Sequence, residues 1–127
     1  MGRNTDRLGQ LARIARVKAD GELRTYSARR AQADAMQRQV DAVRDELRQA
    51  IASPGSDALE QWRRTTALVG YRSEQLQQAE AALTRIRPGL ETARQAAIRA
   101  FGRAEALTQL QALTRAQIQL DRQRRGG

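Results

Sequence analysis

Apolar residues between Leu76 and Leu107 recur in two rows, each with a seven-residue period. One row contains Leu76, Leu83, Leu90, Ala97 and Ala104, and the other contains Ala79, Ile86, Ala93, Ala100 and Leu107. This period keeps one narrow stripe of a helix facing a partner helix, which is typical of a coiled coil. Both rows pass Pro88-Gly89 without losing step, so the pattern predicts one helix through this proline and makes Pro88 the candidate position of a kink.

Another long helix is predicted for about residues 5–52, because this stretch contains no proline and is rich in good helix formers. Its best apolar rows contain Ala33, Met36, Val40, Val43, Leu47 and Ala50 or Ile51. Nearer the start, a different and broader stripe contains Leu8, Leu11, Ile14 and Val17. Asn4 or Thr5 is expected to cap this helix, because short polar side chains accept hydrogen bonds from the first free N–H groups.

The segment from Ser53 to Asp57 is the clearest break in the chain. Pro54 and Gly55 end the first helix, and Ser56 or Asp57 can cap a second helix over about residues 58–124. So short a connection, residues 53–57, makes the flanking helices antiparallel neighbours. The expected fold is all-α: a single domain, residues 1–127, forming a long antiparallel two-helix coiled-coil hairpin whose second helix is the longer.

The position of the turn also predicts which residues face each other. With the turn centred near residue 55, Met36 is expected near Glu74–Leu76, and Leu11 near Arg99. Residue 107 would then face the N-terminus, and the second helix would continue beyond the end of its partner. The leucines expected to lie unpaired on this overhang are Leu107, Leu110, Leu113 and Leu120.

The chain contains neither cysteine nor histidine. Disulfides, thiolate nucleophiles, imidazole bases and most zinc sites are therefore excluded. Its acidic residues occur at helical spacing among arginines, and no glycine-rich phosphate loop is present. We expect no catalytic residue, cofactor or metal, and no enzyme activity. No apolar run approaches the roughly 18 residues that span a bilayer, so a cytoplasmic protein, peripheral at most, is expected.

The formal net charge of +9 is concentrated at the two ends of the chain. Residues 1–18 contain five basic residues against Asp6, and residues 99–127 contain six against Glu105 and Asp121. A hairpin would bring these ends together. All basic residues except Lys18 are arginines, which favour bidentate contacts with carboxylates or phosphates.

Two apolar patches are candidate interaction sites. Leu68 and Tyr71 lie off the seam on one helix face, and Trp62 lies near the turn, so these residues either close a local cluster or form a docking patch. The unpaired leucines of the overhang either support dimerisation, fold back onto the first helix, or insert into another protein. The basic ends could also attract nucleic acid or an anionic membrane, but no aromatic residue is interleaved with them for stacking on bases.

The segment 7–18, RLGQLARIARVK, opens an Ala/Arg/Gln-rich first helix. The rows from Leu76 to Leu107, with Ala100-Phe101-Gly102-Arg103, lead into a basic C-terminus. In these features, which cover nearly the whole chain, it resembles the FliJ-type stalk proteins of flagellar and related type III export systems. The tight central break and Pro88-Gly89 depart from the family pattern.

The resemblance implies a non-enzymatic central stalk. Its terminal end would insert into a hexameric export ATPase, and its other end would contact the membrane subunit of the export gate, with export chaperones as further partners and no nucleic acid. The residues expected to bind the ATPase are Arg7, Leu8, Leu11, Arg13, Leu110, Leu113, Arg122, Arg124 and Arg125. Those expected to bind the gate are Trp62, Leu68 and Tyr71. The alternative is a basic coiled-coil scaffold or nucleic-acid-binding module.

Overall fold

The computed structural model describes residues 2–52 and 59–126, and all of them are helical. Helix α1 comprises Gly2–Ala52, and helix α2 comprises Leu59–Gly126. The two helices pack against each other, which confirms the all-α helical hairpin. The predicted turn at residues 53–57, including the caps Ser56 and Asp57, lies outside the described residues.

Two described helix ends differ from prediction, since α1 begins before residue 5 and α2 ends at Gly126 and not at about residue 124. Helix α1 begins at Gly2, so Asn4 and Thr5 lie within the helix. A residue that caps a helix has non-helical backbone angles, so the capping prediction for Asn4 or Thr5 is wrong. Helix α2 runs without interruption through Pro88, which confirms the single helix inferred from its apolar rows. Pro88 is exposed, so its ring lies away from the packed face.

Contacts along the chain divide it into two compact units. The terminal unit consists of Met1–Ala28 and Glu91–Gly127, and the central unit consists of Arg29–Leu90. Both helices run through both units, so this division does not test the single-domain prediction. Each unit contains one segment of each helix, and the two chain ends belong to the same unit.

The central unit buries β-branched and leucine side chains at the predicted positions. Val40 is 1% exposed, and Val43 and Leu83 are each 5% exposed. Ala50 is buried while Ile51 is 65% exposed, which decides between these two seam candidates in favour of Ala50. The predicted rows of both helices are therefore the packed faces here.

The terminal unit has a seam of alanines. The buried residues of this seam are Ala12, Ala19, Ala93, Ala97, Ala100 and Ala104. Ala19 packs with Ala100 and Ala104, and Phe101 adjoins this cluster. The broad stripe predicted from Leu8, Leu11, Ile14 and Val17 is wrong as a packing face, because Leu11, Ile14 and Val17 are 51%, 66% and 69% exposed.

The spacing of seven residues explains this outcome. The central rows of α1 continue backwards from Ala33 in steps of seven through Tyr26, Ala19 and Ala12 to Thr5. These positions are buried or half-buried, so one unbroken heptad frame serves the whole helix. Small alanine side chains at the frame positions let the two helix backbones approach closely, and the larger residues next to them face outward.

The predicted alignment of the two helices is also wrong. A Cβ on Gly9 would lie 3.0 Å from Nε2 of Gln111, and Asn4 and Thr5 line one groove with Leu113 and Asp121. Leu11 therefore lies near the region of Gln111 and not near Arg99. Counting from Gly9 opposite Gln111, α1 extends to about the level of Ile118, so Leu107, Leu110 and Leu113 lie beside a paired seam and not on an overhang.

The residues after Leu107 show how this seam continues. Gln111, Thr114, Ile118 and Asp121 occupy the frame positions and are half-buried, as is Leu107. The leucines between them, Leu110, Leu113 and Leu120, are 48%, 68% and 49% exposed. Sliding by whole heptads preserves the face each helix presents, so apolar periodicity alone does not fix the alignment.

Candidate docking surfaces

The residues expected to bind an ATPase all belong to the terminal unit. Leu8 is half-buried in the seam, and the other eight are exposed. These eight are Arg7, Leu11, Arg13, Leu110, Leu113, Arg122, Arg124 and Arg125. They come from both chain ends, which the antiparallel pairing brings into one unit.

Two grooves follow opposite sides of the seam in this unit. The first is lined by Asn4, Thr5, Leu113, Gln117 and Ile118, among others. The second is lined by polar and basic residues that include Gly9, Arg13, Arg16, Thr108 and Arg115. In an antiparallel coiled coil, equivalent flanking positions of the two helices meet on the same side of the seam. The grooves therefore define two distinct flanks of the terminal unit.

The larger exposed apolar residues lie mainly on the side of the seam where the first groove is, and Leu113 lines that groove. A step of seven residues returns to the same side of a coiled-coil helix, and it leads from Asn4 to Leu11, from Gln117 to Leu110 and from Leu113 to Leu120. Ile14 lies three residues from Leu11 on the same helix face. We call this surface the apolar flank: Leu11, Ile14, Leu110, Leu113 and Leu120. Ile14 was not among the predicted site residues, and extending the heptad frame backwards from Ala33 would have identified it.

The opposite surface, which we call the mixed flank, contains both charges. Its apolar members Leu23, Ile98 and Phe101 line a further groove with Arg94. Its basic residues are Arg13, Arg16, Arg94, Arg115 and Arg122, and its acidic residues are Asp6, Asp20, Glu91 and Glu105. Arg94 pairs with Glu91 at 3.3 Å on this flank. Sequence reasoning missed the convergence of Arg13, Arg16 and Arg115, because it depends on the alignment of the two helices.

The predicted gate-binding residues lie in the central unit and are exposed. Trp62, Leu68 and Tyr71 are 64%, 44% and 59% exposed. Beside Tyr71, Nη1 of Arg72 lies 2.9 Å from Oε2 of Glu46 and donates to Oε1 of Gln75 at 2.9 Å. The Arg72 guanidinium carbon lies 5.6 Å from the Tyr71 ring centroid.

Trp62 occupies a position that the heptad frame assigns to the seam, yet it is exposed. The Glu46–Arg72 pair shows the alignment here. Counted from this pair, Ala52, the last described residue of α1, lies level with Thr66, so the described part of α1 does not reach Trp62. Leu59 is similarly exposed, at 63%. The exposed apolar surface of the central unit therefore extends beyond the three predicted residues to Leu59, and only the helix alignment reveals this.

The two units differ in net charge. The terminal unit contains thirteen basic residues and six acidic residues, whereas the central unit contains ten and eight. Most of the net charge of +9 therefore belongs to the terminal unit. Within residues 2–52 and 59–126, the ion pair Glu91–Arg94 is the only one in the terminal unit, and the central unit has five.

The described residues contain neither a metal site nor a membrane-spanning helix. In the part of the chain that the structure describes, no group of three or more acidic residues is arranged to hold a metal ion. Neither described helix contains a stretch long and apolar enough to cross a bilayer.

Comparison with protein-family models, curated proteins and solved structures finds no match to this chain. The resemblance to FliJ-type stalk proteins therefore stays a prediction.

Proposed function

We propose that this protein is the non-enzymatic central stalk of a flagellar or related type III export ATPase complex. Its terminal unit inserts into the ATPase hexamer. Its central patch, the exposed residues Trp62, Leu68 and Tyr71, contacts the membrane subunit of the export gate. The stalk acts at the cytoplasmic face of the inner membrane through these partners, and export chaperones are further candidates.

The observation that carries this proposal is the composition of the terminal unit. It joins both chain ends and contains thirteen of the 23 basic residues. A stalk inside a protein ring needs an end that is stiff and complementary in charge to the inner wall. Long helices that pack through alanines supply stiffness, and arginines without intramolecular acidic partners remain available for carboxylates of the ring.

Measuring ATP hydrolysis tests the ATPase part of this proposal. Adding the protein to the purified export ATPase is expected to promote hexamers and raise turnover. Charge reversal in R122E/R124E/R125E is expected to remove most of this stimulation, because these exposed arginines lie at the terminal end. The matched control is R30E/R38E/R85E, which reverses three exposed arginines of the central unit. Equal loss in both variants, or no stimulation by the unaltered protein, would refute the assignment.

Pull-down by the gate subunit tests the proposed contact between the central patch and the export gate. Replacing Trp62, Leu68 and Tyr71 together by Ser is expected to abolish gate binding while ATPase stimulation continues. Gate binding that survives this replacement would show that the central patch has another role.

The rival function is a basic module that binds nucleic acid. The same excess of arginines in the terminal unit would bind phosphates, with an affinity that falls steeply with salt. Titration of duplex DNA and of single-stranded RNA at low salt distinguishes the two functions. Tight binding that R122E/R124E/R125E abolishes, combined with no effect on the ATPase, would favour this rival.

A further inference from the structure

The two flanks of the terminal unit carry equal numbers of cations but differ in their acids. On the apolar flank the helix positions that flank the seam hold five basic residues: Arg7, Lys18, Arg99, Arg103 and Arg124. All five are exposed. No acidic residue occupies any of these flanking positions, whereas the mixed flank holds four. One carboxylate, that of the half-buried seam residue Asp121, lines the groove of this flank and accepts a hydrogen bond from Nε2 of Gln117 at 3.3 Å. The apolar flank therefore combines the exposed leucines with a clear excess of positive charge.

We propose that the apolar flank binds an acidic amphipathic helix of a partner protein, with the partner's apolar stripe on the leucines and its carboxylates on the bordering arginines. The helix would lie in the groove beside Leu113 and add a third helix to the pair. This inference deepens the stalk proposal, on whose terminal surface it rests, because it states which side of that surface binds and what chemistry it recognises.

The shape of the groove favours a helix as the occupant. Small polar residues, Asn4, Thr5 and Thr114, line it together with Leu113 and the half-buried Ile118. A third helix can follow a concave path between two helices and reach Ile118, as ridges of side chains fit into grooves. A flat bilayer surface would touch only the outward leucines.

The charges argue against two other occupants. A second copy of this chain would bring the same five cations into opposition with only Asp121 of each copy as a carboxylate on this surface, which is unfavourable. Nucleic acid would satisfy the cations but leave the aliphatic side chains in water, and the apolar flank contains no aromatic residue for stacking on bases. A partner with both carboxylates and an apolar stripe satisfies both components.

Fluorescence anisotropy with synthetic peptides and the full-length protein tests this inference. The probe is a labelled helical peptide with a leucine stripe bordered by glutamates. A second peptide replaces the glutamates by lysines, and a third scrambles the first so that the stripe is lost. We expect binding of the first peptide, with an affinity that decreases as salt is raised, and weak binding of the other two.

Variants on the two flanks provide the matched controls. L110Q/L113Q should weaken peptide binding by about tenfold or more, whereas L23Q/I98Q on the mixed flank should change it by less than about twofold. R99Q/R103Q should likewise weaken binding more than R115Q/R122Q, which removes the same charge from the same helix. All eight residues are exposed, so circular dichroism melts should show that the variants remain folded.

Four results would overturn the inference: equal effects of the paired variants, equal binding of the scrambled peptide, tighter binding to phosphatidylglycerol vesicles or duplex DNA than to the first peptide, or dimerisation that L110Q/L113Q abolishes. The test does not contain the ATPase. Peptide binding without ATPase stimulation would refute the stalk alone, and stimulation without flank-specific peptide binding would refute this inference alone.

Discussion

The central and terminal units share one heptad frame but fill its positions with side chains of different size. In the central unit the frame positions hold Val40, Val43 and Leu83, so the larger apolar side chains are buried between the helices. In the terminal unit they hold alanines such as Ala19 and Ala104, and the larger apolar side chains face outward. Packing of the central unit therefore buries its larger apolar side chains within the hairpin, whereas the terminal unit leaves apolar surface exposed, as the proposed docking requires.

Ion pairs follow the same division. Arg44 donates to Glu80 at 2.9 Å, and Arg72 pairs with Glu46 at 2.9 Å, so the central unit links its two helices electrostatically. The single pair of the terminal unit, Glu91–Arg94, lies within one helix. Arginines that are unpaired in the isolated chain can pair with carboxylates of a partner, at a low cost in intramolecular contacts.

The largest expected difference between the units concerns their leucines. Leu83→Ala should lower the free energy of unfolding by about 2–3 kcal/mol, because it removes a buried side chain and leaves a cavity. Leu113→Ala, at an exposed position, should change it by less than about 0.5 kcal/mol. Urea unfolding followed by circular dichroism measures both. Similar losses would mean that the outer leucines also pack within the chain.

The alanine seam should resist enlargement. Ala19 is fully buried against Ala100 and Ala104, so Ala19→Leu should destabilise the protein by about 1–3 kcal/mol through overpacking. Ala28→Leu, on the same helix at an exposed position, is the control and should have little effect. A gain in stability from Ala19→Leu, measured by thermal melting, would show that the helices can separate to admit larger side chains.

Replacing glycines within the helices by alanine should raise the stability of the protein, by less than the losses expected above. Gly70→Ala in the central unit and Gly102→Ala in the terminal unit should each stabilise by about 0.5–1 kcal/mol, because a Cβ at either position meets no atom within 4 Å. Gly9→Ala should gain less, since Nε2 of Gln111 must move away from the new Cβ. Melting temperatures that rise equally at Gly9 and Gly102 would contradict the close approach of Gln111.

The smallest effect is expected for the ion pair between the helices of the central unit. A double-mutant cycle with Glu46→Gln and Arg72→Gln should give a coupling energy of about 0.2–1 kcal/mol, because both groups remain partly exposed to water. Raising the salt concentration should reduce this coupling. A coupling near zero at low salt would mean that Arg72 contributes mainly through its contacts with Gln75 and Tyr71.

Much of the fold could be predicted from the sequence. The proline-glycine break separated two helices, and the rows from Leu76 to Leu107 predicted one helix through Pro88. The exposed positions of Leu68 and Tyr71 also followed from the frame. The apolar flank was not predicted, because the stripe from Leu8 to Val17 indicates a broader packing face. The antiparallel heptad frame puts Leu11 and Leu110 on one side of the seam, but only the helix alignment brings them to the same level.

The sequence by itself determined the two helices, their single break and the face that most of each helix presents, since periodicity is a local property of each segment. Only the tertiary structure decided the alignment. Antiparallel helices with seven-residue rows can slide by one heptad and still bury the same faces, so the choice depends on packing summed over both lengths. That choice paired α1 with most of the expected overhang and brought Leu11 level with Leu110.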